Sequence, residues 1–251
     1  MNAHRILGYS VSARGLQQDV DQALRWIREP GTLRYVACLN PHSVETAAKD
    51  PFFRRALENA DLLLPDGTGI VLASWLLGEP VKEKVAGFDF FMGVSRRLQD
   101  RGGARYFFLG SSDAVLSRMV SRLGRDFPAI QVCGAYSPPF KQVFSREETD
   151  RMVEIVNRAR PDVLWVGMTA PKQEKWIYEN RHRLNVPLAA AVGAVFDFYA
   201  GTKPRSGPGW IALGLEWLPR FLREPKRLWE RNMKSTPRFL VRVLREKTAG
   251  R

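Results

Sequence analysis

Residues 104–134 read ARYFFLGSSDAVLSRMVSRLGRDFPAIQVCG, a short apolar run, a helix-length stretch and a second apolar run. In the two runs, 104–110 and 129–134, apolar residues fall on both faces, as in strands covered by helices on either side. The unit repeats outward in both directions. Similar runs occur at 33–39 and 61–65 before it, and at 162–168 and 188–194 after it. Helix-length segments at 15–28, 43–59, 68–78, 89–101, 113–124, 146–159 and 171–182 alternate with them. In the segment 89–101, Phe90, Phe91, Val94 and Leu98 share one face. This alternation predicts an α/β fold: a mostly parallel, Rossmann-like sheet sandwiched by helices, with right-handed crossovers.

The chain has 251 residues, enough for one α/β domain with a small appendage. Its 45% hydrophobic and 26% charged fractions exclude wholesale disorder, collagen and a disulfide scaffold. Cys38 and Cys133 both sit in apolar runs without CxxC or CxxH spacing, which fits a reducing compartment. No run approaches the ~18 apolar residues that span a bilayer, and the apolar stretch in MNAHRILGYSVSARG is too short for a signal peptide. A cytoplasmic protein is expected.

Charge is the unusual quantity, at +13. From Lys203 to Arg251 there are 13 basic and 4 acidic residues, so this short stretch carries most of the excess. The composition changes near Gly201, where GTKPRSGPG reads as a connector. The expected division is a catalytic α/β domain over 1–201 and a basic helical appendage over 202–251. Prolines at 219, 225 and 237 cut the appendage into short helical pieces. Thr236-Pro237 reads as a helix start, with Thr as N-cap and Pro at the first position. The helix it opens sets Phe239, Leu240, Val243 and Leu244 against Arg238, Arg242 and Arg245. Such a basic amphipathic element either packs on the parent domain or lies on a membrane. Trp26, Trp75 and Trp165 read as core residues, whereas the tryptophans after Gly201, beside arginines, suit a membrane or sugar surface.

In open α/β sheets, ligands meet the carboxyl ends of the strands. Asn40, Asp66 to Gly69, Gly110 to Ser112, Gly167 to Gln173 and Gly193 all fall at such ends. Loops need Gly, Asn and Asp in any case, so only their convergence is informative. Asp66, between an apolar strand and GTG, reads as a general base, a ribose ligand or a helix cap. Asp197 lies similarly in VFDFYAG. GxxxxGK[ST], HExxH, GxSxG and DxD are absent, and His4, His42 and His182 lack ligand spacing, so no metal site is expected. A phosphate would then be met by helix-start N–H groups and by Arg or Lys. The basic excess alone also suits nucleic acid, but no RNP-like, zinc-finger or KH signature accompanies it.

Eight segments in order, LNP (39–41), ADLLLPDGTGIV (60–71), KVAGFDF (84–90), YFFLG (106–110), AYSPPF (135–140), RPDVLWVGMTAPKQEKW (160–176), AVGAVFDFYAG (191–201) and GLEWLPRFLREPKRL (214–228), resemble the WecG/TagA/CpsF family of bacterial glycosyltransferases. The resemblance implies an inverting, metal-independent enzyme without cofactor. It implies transfer from a UDP-sugar to a polyprenyl-diphosphate-linked saccharide in cell-surface polysaccharide synthesis. It implies a peripheral protein on the cytoplasmic face of the bacterial inner membrane, in contact with anionic lipid and not with nucleic acid; a homo-oligomer is compatible with it. By resemblance, Asp66 takes the place of the catalytic base. Donor-site positions are Asn40, Gly67, Lys84, Gly110, Gly167, Pro171, Gln173, Gly193 and Asp197. Arg205, Arg220, Arg227 and Arg231 fall in the segment expected to meet the acceptor diphosphate and the membrane. Cys38 stands where the family usually has Thr, Lys84 where it has Arg, and Ser206-Gly207 where it has Ala-Pro. The third departure concerns loop stiffness; Cys38 and Lys84 motivate the alternative of a non-enzymatic lipid- or partner-binding protein that keeps a nucleotide-sugar crevice.

Overall fold

The computed structural model describes residues 3–29 and 31–249; the side chains of 208, 212, 220, 227, 231 and 232 lie outside that description. The chain opens with a hairpin, β1 (Ala3–Ile6) and β2 (Tyr9–Ser12). Leu7 and Gly8 at its tip both have positive φ, 50° and 86°, as a tight primed turn requires. Then follow α1 (Leu16–Arg28), β3 (Arg34–Leu39), α2 (Pro41–Ala47), α3 (Pro51–Glu58), β4 (Leu62–Pro65), α4 (Thr68–Leu76) and α5 (Gly87–Gln99). After these come β5 (Arg105–Gly110), α6 (Asp113–Asp126), β6 (Gln131–Tyr136), α7 (Arg146–Ala159), β7 (Val163–Gly167), α8 (Lys172–Asn180), β8 (Leu188–Ala191) and α9 (Val195–Ala200). The C-terminal part holds α10 (Pro208–Ala212), α11 (Trp217–Arg223), α12 (Pro225–Trp229), a π-helical turn (Glu230–Ser235) and α13 (Thr236–Ala249).

Strands β3 to β8 form one parallel sheet in the order β4-β3-β8-β7-β5-β6. The expected α/β class and parallel sheet are therefore what the chain adopts. Alternate residues of the buried strands serve two separate cores. Tyr35, Ala37 and Leu39 of β3 pack beneath α2, α3, α4, α7 and α8, together with the hairpin. Val36 of β3 packs on the other side, beneath α1, α5, α6 and α9. That second core is rich in rings. Phe91 meets Trp165 at 4.9 Å and Tyr199 at 5.1 Å between centroids, both edge-on.

Four local expectations are corrected. The segment 43–59 is not one helix: Pro51 breaks it, and the Asp50 carboxylate caps the new start by accepting from the N–H groups of Phe52 and Phe53. The strand expected at 129–134 begins two residues later, because Phe127 to Ile130 closes a turn first. Thr236 is not an N-cap. Its φ and ψ, −62° and −47°, are helical, and the backbone runs on from α12 through the π turn into α13. Pro237 has no N–H to give to the preceding turn, and widening that turn to π accommodates the loss without ending the helix. Trp75, expected in the core, is 66% exposed, whereas Trp165 is fully buried.

Phe239 and Val243, one helical turn apart on α13, are wholly buried in the first core. Arg242, between them in sequence, pairs with Glu45 of α2 at 3.0 Å. The amphipathic helix thus packs on the parent domain by one face and leaves Leu240, Val241 and Leu244 exposed on another. Replacing Phe239 by Ala should cost about 3–5 kcal/mol by urea unfolding. Hydrogen exchange should report lost protection concentrated in α13, in keeping with its docking by this ring.

Candidate active site

Adjacent strands β3 and β8 send the chain to opposite faces of the sheet, β3 into α2 and β8 into α9. The loops part there, at the strands' carboxyl ends, where open α/β sheets hold their ligands in a crevice. Asn40 stands on one wall. Its Oδ1 accepts from the Ser43 N–H at 3.0 Å and caps α2, a bond that does not involve its amide NH2 group. Asp66 follows β4, and its N–H donates to the Leu39 carbonyl at 2.8 Å. That bond extends the β3–β4 pairing one residue past the strand and sets Asp66 beside Asn40. Gly67 turns the chain at φ 111°, a region side chains avoid, and a Cβ there would lie 4.0 Å from that of Asn40. The Asp66 side chain is half-buried at the crevice mouth.

The opposite wall is organised by Gln173. Its Oε1 accepts from the Met168 N–H at 3.2 Å and the Gly193 N–H at 3.0 Å, fastening the end of β7 to the end of β8. Its Nε2 donates to Glu174 Oε1 at 2.8 Å. Glu174 is buried, and its second oxygen has no hydrogen-bond partner, nor does the buried Tyr35 hydroxyl. Burial raises the Glu174 carboxyl from 4.5 to about 7, outweighing the Gln173 hydrogen bond that favours the charged form. Cys38 lies across the sheet, with its Sγ 3.3 Å from where a Cβ on Gly87 would be. Burial, then the Asp66 and Glu174 carboxylates, push this thiol well above its ordinary range.

Glu174 was not among the residues singled out from the sequence. The available signal was helical spacing: Glu174 lies three residues before Ile177, and both are buried on α8. Gly110 and Gly167 have a packing role. A Cβ at Gly110 would sit 2.6 Å from the Gly167 carbonyl, and one at Gly167 would sit 2.5 Å from the Phe196 ring. Pro171 follows a cis peptide bond and caps α8, next to Gln173. Asp197, on α9, meets Thr202 Oγ1 at 3.2 Å and Lys203 Nζ at 3.5 Å and so anchors the start of the C-terminal segment.

That segment returns across the crevice rim. Thr68 donates to the Gly214 carbonyl at 2.9 Å, and His42 Nδ1 lies 2.9 Å from Ser235 Oγ. Lys84 forms an ion pair with Glu216 at 3.1 Å, without hydrogen-bond alignment. Arg205 grips both oxygens of Asp89, at 2.8 and 2.9 Å, with its guanidinium over the Phe88 ring. Asn40, Asp66, Gly67, Lys84, Gln173 and Gly193 are brought to this crevice and its rim; Gly110 lies two strands from β8, beyond β7. The backbones of Arg220, Arg227 and Arg231 are helical, and their side chains lie outside the described ones. Among the described residues, no three His, Cys, Asp or Glu side chains gather as metal ligands, and no helix is long and apolar enough to cross a membrane.

A parallel sheet with an acidic residue and an amide at its switch point has the ligand-binding arrangement of open α/β proteins. The chain belongs to the Glycosyl transferase WecG/TagA/CpsF family, which it matches over residues 4–251. It is 33% identical over 216 residues to an N-acetylglucosaminyldiphosphoundecaprenol N-acetyl-beta-D-mannosaminyltransferase of Bacillus spizizenii, covering 86% of this chain and 80% of that protein. A protein of the same name from Bacillus subtilis is 31% identical, over 84% of this chain and 79% of the relative. One from Staphylococcus aureus is 25% identical, over 85% and 80%.

The raised Glu174 carboxyl has a measurable consequence. Folded protein keeps this proton to about pH 7, whereas an unfolded chain releases it near 4.5. Between those values the unfolded state binds fewer protons, so stability falls as pH rises and levels off above 7. Urea unfolding of Glu174→Gln should lack this slope, on the order of 3 kcal/mol across the window. Equal pH dependence in the two proteins would show that the carboxyl is not held protonated.

Proposed function

We propose that this protein transfers an N-acetylhexosaminyl group from a UDP-sugar to a polyprenyl-diphosphate-linked saccharide, with inversion and without a metal, at the cytoplasmic surface of a membrane. The observation that carries the reading is Asp66, held by backbone pairing beside Asn40 at the switch-point crevice. The names of the relatives, with their diphosphoundecaprenol acceptor and N-acetylmannosaminyl group, supply the substrate class.

In this scheme Asp66 accepts the proton of the acceptor hydroxyl. The hydroxyl oxygen attacks the anomeric carbon from the face opposite UDP as the carbon–oxygen bond to UDP breaks. The bond's electron pair leaves with the β-phosphate, and a single displacement inverts the centre. Asn40 offers its amide NH2 to the donor. The crevice glycines, Gly67 and Gly193, let ligand approach the backbone closely. Lys84 and Arg205 supply positive charge at the rim, each exchanging its present carboxylate for a phosphate. Arg220, Arg227 and Arg231 add charge for the acceptor diphosphate, which a basic segment of 13 cations against 4 anions suits. The same excess draws the protein to anionic lipid, with exposed Arg238 and Arg245 in contact.

Purified protein incubated with UDP-sugars and lipid-diphosphate-linked N-acetylglucosamine should yield a new glycolipid and free UDP. No product and no UDP-sugar binding across a broad panel would sink the enzyme reading. Asp66→Asn should lower kcat by roughly 10²–10⁴-fold while calorimetry finds donor affinity nearly intact; a matching loss of affinity would make Asp66 a donor ligand instead. EDTA should leave the rate unchanged, and a rate that collapses with EDTA and returns with a divalent ion would overturn metal independence. Arg238→Glu with Arg245→Glu should weaken binding to anionic vesicles at least about tenfold without unfolding the protein. These replacements are preferable to removing 202–251, because loss of Phe239 and Val243 would open the core itself.

A further inference from the structure

The C-terminal segment does not hold all of the exposed apolar surface. Helix α4, which starts two residues after Asp66, has no charged residue from Thr68 to Gly78. A helix apolar on every side belongs inside a protein or a lipid phase. Only one side of α4 is inside: Ile70, Ala73 and Ser74 are buried. Leu72, Trp75 and Leu76, at i, i+3 and i+4, form an outward stripe, with Leu72 54% and Trp75 66% exposed. The neighbouring helix is α13. It packs along α4, and Phe239 would lie 3.9 Å from a Cβ on Gly69. Its own exposed stripe is Leu240, Val241 and Leu244.

We propose that the outer face of α4 enters the lipid interface beside α13, making the catalytic domain itself part of the membrane-contacting surface. The proposal rests on the membrane association stated above and names a second element that makes it. Charge selects a bilayer over a second copy of the chain. Residues 225–249 around the α13 stripe carry eight basic and two acidic side chains, so a two-fold contact through this face would oppose like charges. An anionic bilayer accepts the apolar stripes and the cations together. The indole at position 75 adds to this, since tryptophan favours the headgroup level.

The test uses full-length protein with phosphatidylglycerol-containing and with pure phosphatidylcholine vesicles. Leu72→Gln, Trp75→Gln and Leu76→Gln together should lower the partition coefficient by roughly 10- to 100-fold. UDP binding and far-ultraviolet dichroism should stay as in the parent. At high salt, where the arginine contribution is screened, the residual binding should depend on these three residues. Brominated lipid should quench the parent's fluorescence more than that of Trp75→Phe, an arm that holds even if the triple variant folds poorly. Unchanged partition in the triple variant, or equal quenching in Trp75→Phe, overturns the proposal. So does a parent dimer that the triple variant dissolves while still binding vesicles, because the face would then be a self-contact. Loss of binding in Arg238→Glu with Arg245→Glu but not in the α4 variant would leave membrane association standing and remove α4 from it. A parent protein that binds no vesicle of either kind overturns the membrane reading and this proposal together.

Discussion

Strands β3 and β8 are hydrogen-bonded neighbours, yet one delivers the chain to α2 above the sheet and the other to α9 below it. The candidate site lies at that divergence, where open α/β sheets take their ligands. The gap must be held at a fixed width by side chains. Gln173 does so from the β8 side, with one carbonyl oxygen shared by the N–H groups of Met168 and Gly193. Losing it would leave one buried and one half-buried donor without this acceptor, which costs more than a typical hydrogen bond contributes. Asn40 does so from the β3 side by capping α2. The two amides face a crevice whose acidic residue, Asp66, is positioned by backbone pairing and not by a flexible loop.

The return of the C-terminal segment depends on the same geometry. Phe239 and Val243 fill the first core next to α2 and α4, the helices that start immediately after Asn40 and Gly67. Once they are seated, the residues before them must cross the crevice rim. Glu216 meets Lys84, Gly214 meets Thr68 and Ser235 meets His42 in that crossing. Two of the cations proposed for phosphate, Lys84 and Arg205, are neutralised by carboxylates in this state. Under the proposed reaction, a diphosphate arriving at the rim would replace one anion with another of higher charge, and until then neither cation is bare in a partly dry environment.

The sheet was legible because short apolar runs alternate regularly with helix-length segments. The hairpin was not legible. Its strands are four residues each, and the Leu7-Gly8 turn has only one glycine to announce two positive φ values. Helix α9 was hidden because VFDFYA is rich in residues that favour strands, and tertiary packing of Val195, Phe196 and Tyr199 overrides that preference. Asp50-Pro51 was a readable break inside a segment of helix length. At the site, Asp66, Asn40 and Gln173 stood out by position and by resemblance. Glu174 did not, since a carboxylate inside a charged KQEK string reads as solvated until burial is seen. Pro237 misled for the opposite reason: the rule that proline starts or ends helices has an exception where the preceding turn widens.

Helix α4 joins the chemistry to the surface. At about 1.5 Å per residue, Trp75 lies roughly 13 Å along the chain axis from Asp66, within one short helix of the proposed base. Under the proposed reaction, a lipid-linked acceptor keeps its chain in the bilayer while its sugar hydroxyl reaches a carboxylate on the protein. A base placed deep in a domain that merely floated above the membrane would require the saccharide to extend far from its anchor. Under the proposed membrane contact, a base at the start of a helix whose outer face is itself apolar would shorten that reach. The basic residues of α13, alongside, then lie where a diphosphate joining lipid to sugar would pass.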